Sequence, residues 1–180
     1  MGTIIDLDIQ DESVVSALAG LTYAAFEENS PEWIETLDEA RQVVMEVGDE
    51  RRFGRVWMAD GEPLGWVGVI KRKYLWELHP IAVAVEHQFS GIGHGLVEDV
   101  ARLAKNAGAL TLFAGASDET GTTNLFGVDI YENPIESMKI LQSAGRSAHQ
   151  FWISAGFTVV GLMPDEEGCG KPGIHLARRV

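Results

Sequence analysis

Leu75–Val85 has the composition of a β-strand, and it runs without a linker into Gln88-Phe89-Ser90-Gly91-Ile92-Gly93-His94-Gly95 and then into the strongly helical Leu96–Asn106, with Gly108 just past its end. This strand, turn and helix unit commits the chain to a fold that mixes both kinds of element. Three glycines within five residues are costly at a helix start, so they need a reason. Glycine lets the main chain approach a ligand closely. The helix that follows offers N–H groups with no partner inside it and the positive end of its dipole, which together bind a diphosphate. The turn is not a dinucleotide-binding fingerprint, because Leu96 stands at the third glycine position, and it is not a P-loop, because no Gly-Lys-Ser/Thr follows. Alone, it reads equally as a structural helix start and as an anion-binding loop.

Around this unit, apolar periodicity predicts a helix through Val14, Val15, Leu18, Leu21, Tyr23, Ala25 and Phe26 after the cap residue Asp11, and a second over Leu37–Val47. Both follow a short first strand. Arg55–Ala59 and Leu64–Ile70 are β-rich runs joined by Asp60-Gly61-Glu62-Pro63, a turn composition that predicts an antiparallel hairpin. Further strands are expected at Leu110–Ala114, Phe157–Leu162 and Ile174–Arg179, with helices at Pro134–Leu141 and His149–Ala155. The order is α+β, without internal repeats. With 180 residues, 46% of them hydrophobic, one domain spanning 1–180 is expected. The long connection from Ser117 to Gly145 is of the kind that usually carries function.

The net charge of −13 is concentrated in two places. Between Glu27 and Glu50 nine acids face one base, Arg41, and between Ser117 and Leu141 five acids face Lys139 alone. The rest of the chain is close to neutral. A polyanionic partner such as nucleic acid would be repelled, so none is expected. The single thiol, Cys169, cannot form an internal disulfide, and no basic leader or long apolar run is present. A cytoplasmic protein that does not engage membranes is expected. Gly2 does not mark a myristoylation site, since Asp6 replaces the Ser or Thr that such a site needs. The histidines at 79, 87, 94, 149 and 175 lack zinc-ligand spacing, so no metal is expected, and Gly-x-Ser-x-Gly is absent. Lys71-Arg72-Lys73 reads as an edge-strand device or as support for a phosphate.

Ile81-Ala82-Val83, then Gln88-x-x-Gly91-x-Gly93, a helix, a strand, and finally Ala148-x-x-Phe151-Trp152-x-x-x-Gly156-Phe157 together resemble the GNAT superfamily of acyl-CoA N-acetyltransferases, over residues 74 to 160. The resemblance implies a mixed, mostly antiparallel sheet of about seven strands flanked by helices, with acetyl-CoA as cofactor. It implies that Gln88, Phe89, Ser90, Gly91, Ile92, Gly93, His94 and Gly95 surround the coenzyme A diphosphate, that Ile81, Ala82 and Val83 pair with the pantetheine arm like an added strand, and that Trp152 packs beside it. A main-chain N–H near Val83 would face the oxyanion. A dimer is common among the relatives.

Trp76-Glu77-Leu78-His79-Pro80, Gly115-Ala116-Ser117-Asp118-Glu119, Gly127-Val128-Asp129-Ile130-Tyr131 and Gly170-Lys171-Pro172-Gly173-Ile174 resemble the aminoglycoside 6′-N-acetyltransferase branch. The implied acceptor is a cationic small-molecule amine, held in a cleft bounded by the early helices and the loop after the fifth strand. Those are the two acidic segments, and Trp33, Glu35, Glu119 and Asp129 are the acceptor-binding candidates within them. An ammonium has no lone pair, so a base must take a proton before attack on a thioester. Glu77 and His79, two apart on a strand and so on one face, are the first candidates, with Asp118 third. Where many relatives carry a Tyr that protonates the leaving thiolate, this chain has Trp152, whose indole cannot serve as that acid. A common Asn before that helix is also replaced, by Gly145 or a neighbour. Two rival readings therefore stand beside the first: a polyamine or peptide amine as acceptor, and a non-catalytic acyl-CoA-binding module.

Overall fold

In the computed structural model, which describes residues 2–27, 30–145 and 147–180, the chain divides into two compact units, one of residues up to Leu112 together with Arg179 and Val180, the other of Phe113–Arg178. The described residues form five α-helices and seven strands, an α+β architecture with antiparallel pairing at β1–β2, β2–β3, β3–β4 and β6–β7. The expected fold class is borne out.

The first unit opens with β1 (Thr3–Asp6) and α1 (Glu12–Phe26). Asp11 caps α1, its carboxylate accepting from the N–H groups of Ser13 and Val14 at 3.1 and 3.2 Å. Its buried stripe of Val15, Leu18, Ala19, Leu21 and Thr22 faces the sheet and α2 (Leu37–Met45). Thr36 and Glu39 close a reciprocal capping box at the start of α2, which ties up the Glu39 carboxylate. The core of this unit joins Val15, Leu18, Leu21, Val44, Val56, Trp66 and Ala82. A buried polar link within it is satisfied twice: Trp66 Nε1 donates to Thr22 Oγ1 at 2.8 Å, and that hydroxyl donates to Leu18 O at 2.7 Å.

β2 (Arg52–Ala59), β3 (Glu62–Lys71) and β4 (Leu75–Val83) complete the order β1-β2-β3-β4. The β2–β3 turn is tighter than its composition suggested. Asp60 and Gly61 alone turn the chain, both with positive φ (51° and 87°), while Glu62 and Pro63 already belong to the strand. Pro63 is accommodated beside a register shift between Trp57 and Met58. A second shift, between Val67 and Val69 against β4, sits at Gly68, where a Cβ would lie 2.4 Å from His79 O.

α3 (Ile92–Asn106) begins four residues before the expected start, because Gly93, His94 and Gly95 are already helical. Low helix propensity made them read as loop, whereas packing on the sheet fixes them as the first turn. Further along, the Arg55 guanidinium donates through Nε to Asp99 at 2.6 Å and also reaches Asp6, while Arg102 engages the other Asp99 oxygen. This pairs a half-buried arginine with a buried aspartate and satisfies both.

β5 (Thr111–Ser117) leads from the first unit into the second and is longer than expected, since Leu112, Ala114 and Ala116 alternate inward through a stretch poor in β-branched residues. The second unit contains α4 (Pro134–Ile140), α5 (Ala148–Ser154), β6 (Thr158–Met163) and β7 (Gly173–Arg179), with strand order β5-β7-β6. Leu125, Ile130, Trp152, Phe157, Ile174 and Leu176 are its large buried side chains. The 117–145 connection is laced by hydrogen bonds. Asn124 N–H donates to Gln142 O, Asn124 Nδ2 to Ile140 O, Gln142 N–H to Asn124 Oδ1 and Ala144 N–H to Thr122 O, all within 2.7–3.0 Å. Gly127 N–H donates to Gly170 O at 2.8 Å, and Asp118 N–H to Pro172 O at 2.9 Å.

Candidate functional site

β4 alternates cleanly: Trp76, Leu78, Pro80 and Ala82 are buried, whereas Glu77, Ile81 and Val83 are half-buried and His79 is exposed. Glu77 and His79 therefore share the less buried face. Glu77 lies 3.5 Å from Arg72, whose side chain is 68% exposed, so this ion pair holds the carboxylate loosely. The His79 ring stands 5.1 Å from that of Trp33, which in turn meets Phe26 edge-on at 4.7 Å. Two residues remote in sequence thus become one aromatic wall. A shallow cleft beside His79 is also lined by Val43, Glu46 and Arg52, with Glu46 and Arg52 paired at 2.5 Å. Neither charge was singled out in the sequence, where Glu46 is one acid among nine. Glu35 is exposed, and its N–H is bonded to Glu39 Oε2 at 2.8 Å.

After Val83 the chain makes one 3₁₀ turn (Val85–His87) and enters the glycine-rich segment. Gln88 Nε2 donates to Val83 O at 3.4 Å and Ser90 Oγ to His87 O at 2.5 Å, so both side chains fold back onto the turn. Phe89, with φ 61°, is 73% exposed. Gly91 takes φ 93° and acts as the N-cap of α3 without a side-chain cap bond. The first intrahelical bond runs from Gly95 N–H to Gly91 O at 2.9 Å, so the amides of Ile92 and Gly93 are directed out of the helix end. No Cβ stands over Gly91, and a built one would meet nothing within 4 Å. This geometry is that of an anion cradle made of main chain. The glycines are not equivalent, however: Gly95 is small for packing, as its Cβ would meet Trp57 Cζ3 at 2.5 Å.

In the second unit the candidates have different surroundings. Asp118 is 1% exposed and accepts from the N–H and Oγ1 of both Thr122 and Thr123, at 2.7–3.1 Å. Burial alone would push its carboxyl up, but these hydrogen bonds outweigh it and hold the group below the usual carboxylate range. With its oxygens so engaged, Asp118 organises the loop. Glu119 is buried, and Asp129 is exposed with Oδ1 accepting from Tyr131 N–H at 3.1 Å. Trp152 is 3% exposed, between Phe151 and Phe157 at ring distances of 5.0 and 4.9 Å. Ser143 Oγ and His149 Nδ1 lie 2.6 Å apart, a contact the sequence did not suggest. Among the described residues, no group of three or more His, Cys, Asp or Glu is placed to hold a metal ion, and no helix is long and apolar enough to cross a membrane.

The whole chain is similar to solved structures. One is an aminoglycoside 6′-N-acetyltransferase complexed with coenzyme A, with a TM-score of 0.88 at 24% identity over 98% of this chain and 96% of that one. Another is the aminoglycoside 6′-N-acetyltransferase from Enterococcus faecium, at 0.85 and 24% over the same shares. A third is the ribosomal-protein-S18-alanine N-acetyltransferase from Escherichia coli, at 0.66 and 16% over 100% and 94%. These likenesses establish a shared fold. No curated protein matches the chain by sequence. The sequence profile of the acetyltransferase (GNAT) family matches residues 18–132, the stretch from within α1 through β5 that includes the glycine-rich turn, so the chain belongs to the GNAT acetyltransferase family.

Proposed function

We propose that this chain transfers an acetyl group from acetyl-CoA to a primary amine of a polycationic small molecule, an aminoglycoside at its 6′ amine. The observation that carries the cofactor half is the turn at Gly91, where outward amides and a bare glycine suit a diphosphate. The cradle therefore fits coenzyme A, as does its presence in the structurally similar acetyltransferase noted above. When bound, acetyl-CoA supplies an acyl group activated as a thioester. The amides of Ile92 and Gly93 and the helix dipole would hold its diphosphate, Ile81–Val83 would offer main-chain groups to the pantetheine arm, and an N–H near Val83 would stabilise the oxyanion.

Glu77 attracts the acceptor ammonium, and Glu77 or His79, directly or through water, takes its proton. The amine so deprotonated would accept the acetyl group, the new C–N bond replacing the thioester C–S bond and the sulfur departing as thiolate. Trp33 beside His79 offers a π face to the cation. Asp118 is left out of this assignment because its acceptor sites are engaged by Thr122 and Thr123. The acidic count also overstates the charge open to an acceptor, since Glu39 serves a cap and Glu46 pairs with Arg52.

The similarity to an alanine N-acetyltransferase favours a second reading, a peptide amine as acceptor. Release of coenzyme A thiol, measured against kanamycin-type compounds, spermidine and short peptides and followed by mass spectrometry of the product, decides between them. Acetylation of the aminoglycoside alone is expected. Turnover with spermidine or peptides but not with the drugs would overturn the acceptor assignment. Coenzyme A binding with no transfer to any amine would overturn catalysis.

A further inference from the structure

The Trp57 indole lies between two glycines of different elements. On one edge, a Cβ at Gly2 would stand 2.1 Å from Nε1 and 2.4 Å from Cε2; on the opposite edge, a Cβ at Gly95 would stand 2.5 Å from Cζ3. The strand register explains the arrangement. Ile4 pairs with Trp57, so Gly2, two residues before it, projects to the same face, and Trp57 pairs with Gly65 at the register shift of β2 against β3. Gly65 is itself a notch, for its Cβ would meet Ile92 Cγ2 at 3.0 Å. The first turn of α3 is therefore seated at two points, Ile92 over Gly65 and Gly95 over Trp57. Those are the residues that begin the helix whose outward amides form the anion cradle.

We propose that Trp57 is a positioning residue for the cofactor-binding turn, and that Gly2 sets its reach. A side chain at residue 2 cannot be added without displacing the indole, and the indole has no room to move toward Gly95 without lifting the first turn of α3. The start of β1 is thus coupled to the cradle through one rigid aromatic ring. This inference rests on the acetyl-CoA reading given above.

The test compares Gly2→Ala, Trp57→Phe and the double variant with the wild-type chain. Gly2→Ala is expected to raise the KM and the calorimetric Kd for acetyl-CoA about fivefold, with kcat and the acceptor KM within about twofold, the signature of lost cofactor binding alone. Amide hydrogen exchange over Ile92–Leu96 should quicken in the same variant. Trp57→Phe, which lacks the atoms nearest Gly2, should restore both in the double variant. Unchanged exchange and affinity in Gly2→Ala, or failure of Trp57→Phe to rescue, would overturn the coupling. A wild-type chain that binds no coenzyme A would instead overturn the cofactor reading, and the exchange measurement would still decide the coupling.

Discussion

Trp33 and His79 face each other with ring centroids 5.1 Å apart and planes inclined at 59°. The pair joins the segment before α2 to the face of β4 that also carries Glu77. If this wall receives the acceptor, Trp33→Ala should raise the acceptor KM about tenfold, in line with loss of a partly desolvated cation–π contact, and leave the KM for acetyl-CoA unchanged. Steady-state kinetics with each substrate varied in turn checks this; equal rises in both KM values would contradict it.

Glu77 pairs at 3.5 Å with Arg72, whose side chain is largely exposed, so this contact leaves its carboxylate available for a proton. Glu77→Gln should lower kcat at neutral pH by about 10²–10⁴, the usual contribution of a general base, with acetyl-CoA affinity retained. Arg72→Ala should leave the rate nearly unchanged, because an exposed ion pair contributes about 0–1 kcal/mol. A large loss of acetyl-CoA affinity in Glu77→Gln, read by calorimetry, would argue against the role.

Gly91 has φ 93° with open space where a Cβ would stand, so a substitution there acts through the backbone and not through collision. Gly91→Val should strain the turn by about 1–2 kcal/mol and misdirect the amides of Ile92 and Gly93. Loss of coenzyme A binding with only a small fall in Tm is the expected result. Undiminished binding would remove the turn from the cofactor site.

Asp118→Asn replaces one acceptor oxygen by a donor in front of the Thr122 and Thr123 donors. It should cost about 1–3 kcal/mol of stability, the penalty for buried polar groups left without partners, with Thr123→Val following the same direction. Denaturant unfolding reads the loss. A fall in kcat without loss of stability would return Asp118 to the list of bases.

His149 carries a pH prediction. Burial lowers its pKa below the ordinary 6.5, so the folded chain binds that proton less readily than the unfolded chain. The stability it contributes is fully present above about 6.5 and is lost as pH falls from there toward the folded value. Urea midpoints of the wild-type chain should therefore drop on acidification through this window, and His149→Gln should flatten that part of the curve. An equally steep drop in the variant would assign the effect elsewhere.

The helices α1 and α2 were legible because long apolar stripes after Asp11 and Thr36 leave no alternative reading. The start of α3 was not, since glycine is a poor helix former and tertiary seating on Trp57 and Gly65 outweighs that propensity. The end of β5 escaped notice for a similar reason: Gly115-Ala116-Ser117 has little strand character, and alternating burial alone extends it. At the candidate site, strand alternation put Glu77 and His79 on one face. The approach of Trp33 to His79 depends on how α1 and α2 pack, which periodicity does not encode. Asp118 stood third among the candidate bases, and Thr122 and Thr123 in the residues just after it are the visible sign of a loop-organising acid.

Gly127 and Gly170 meet backbone to backbone, and Asp118 is tied to Pro172 nearby. The two stretches that carry these residues are thus stitched like facing hems. A protease nick near Gly168, on the exposed bend between β6 and Gly170, should leave both fragments associated, and any engineered splice into one stretch must carry its counterpart with it.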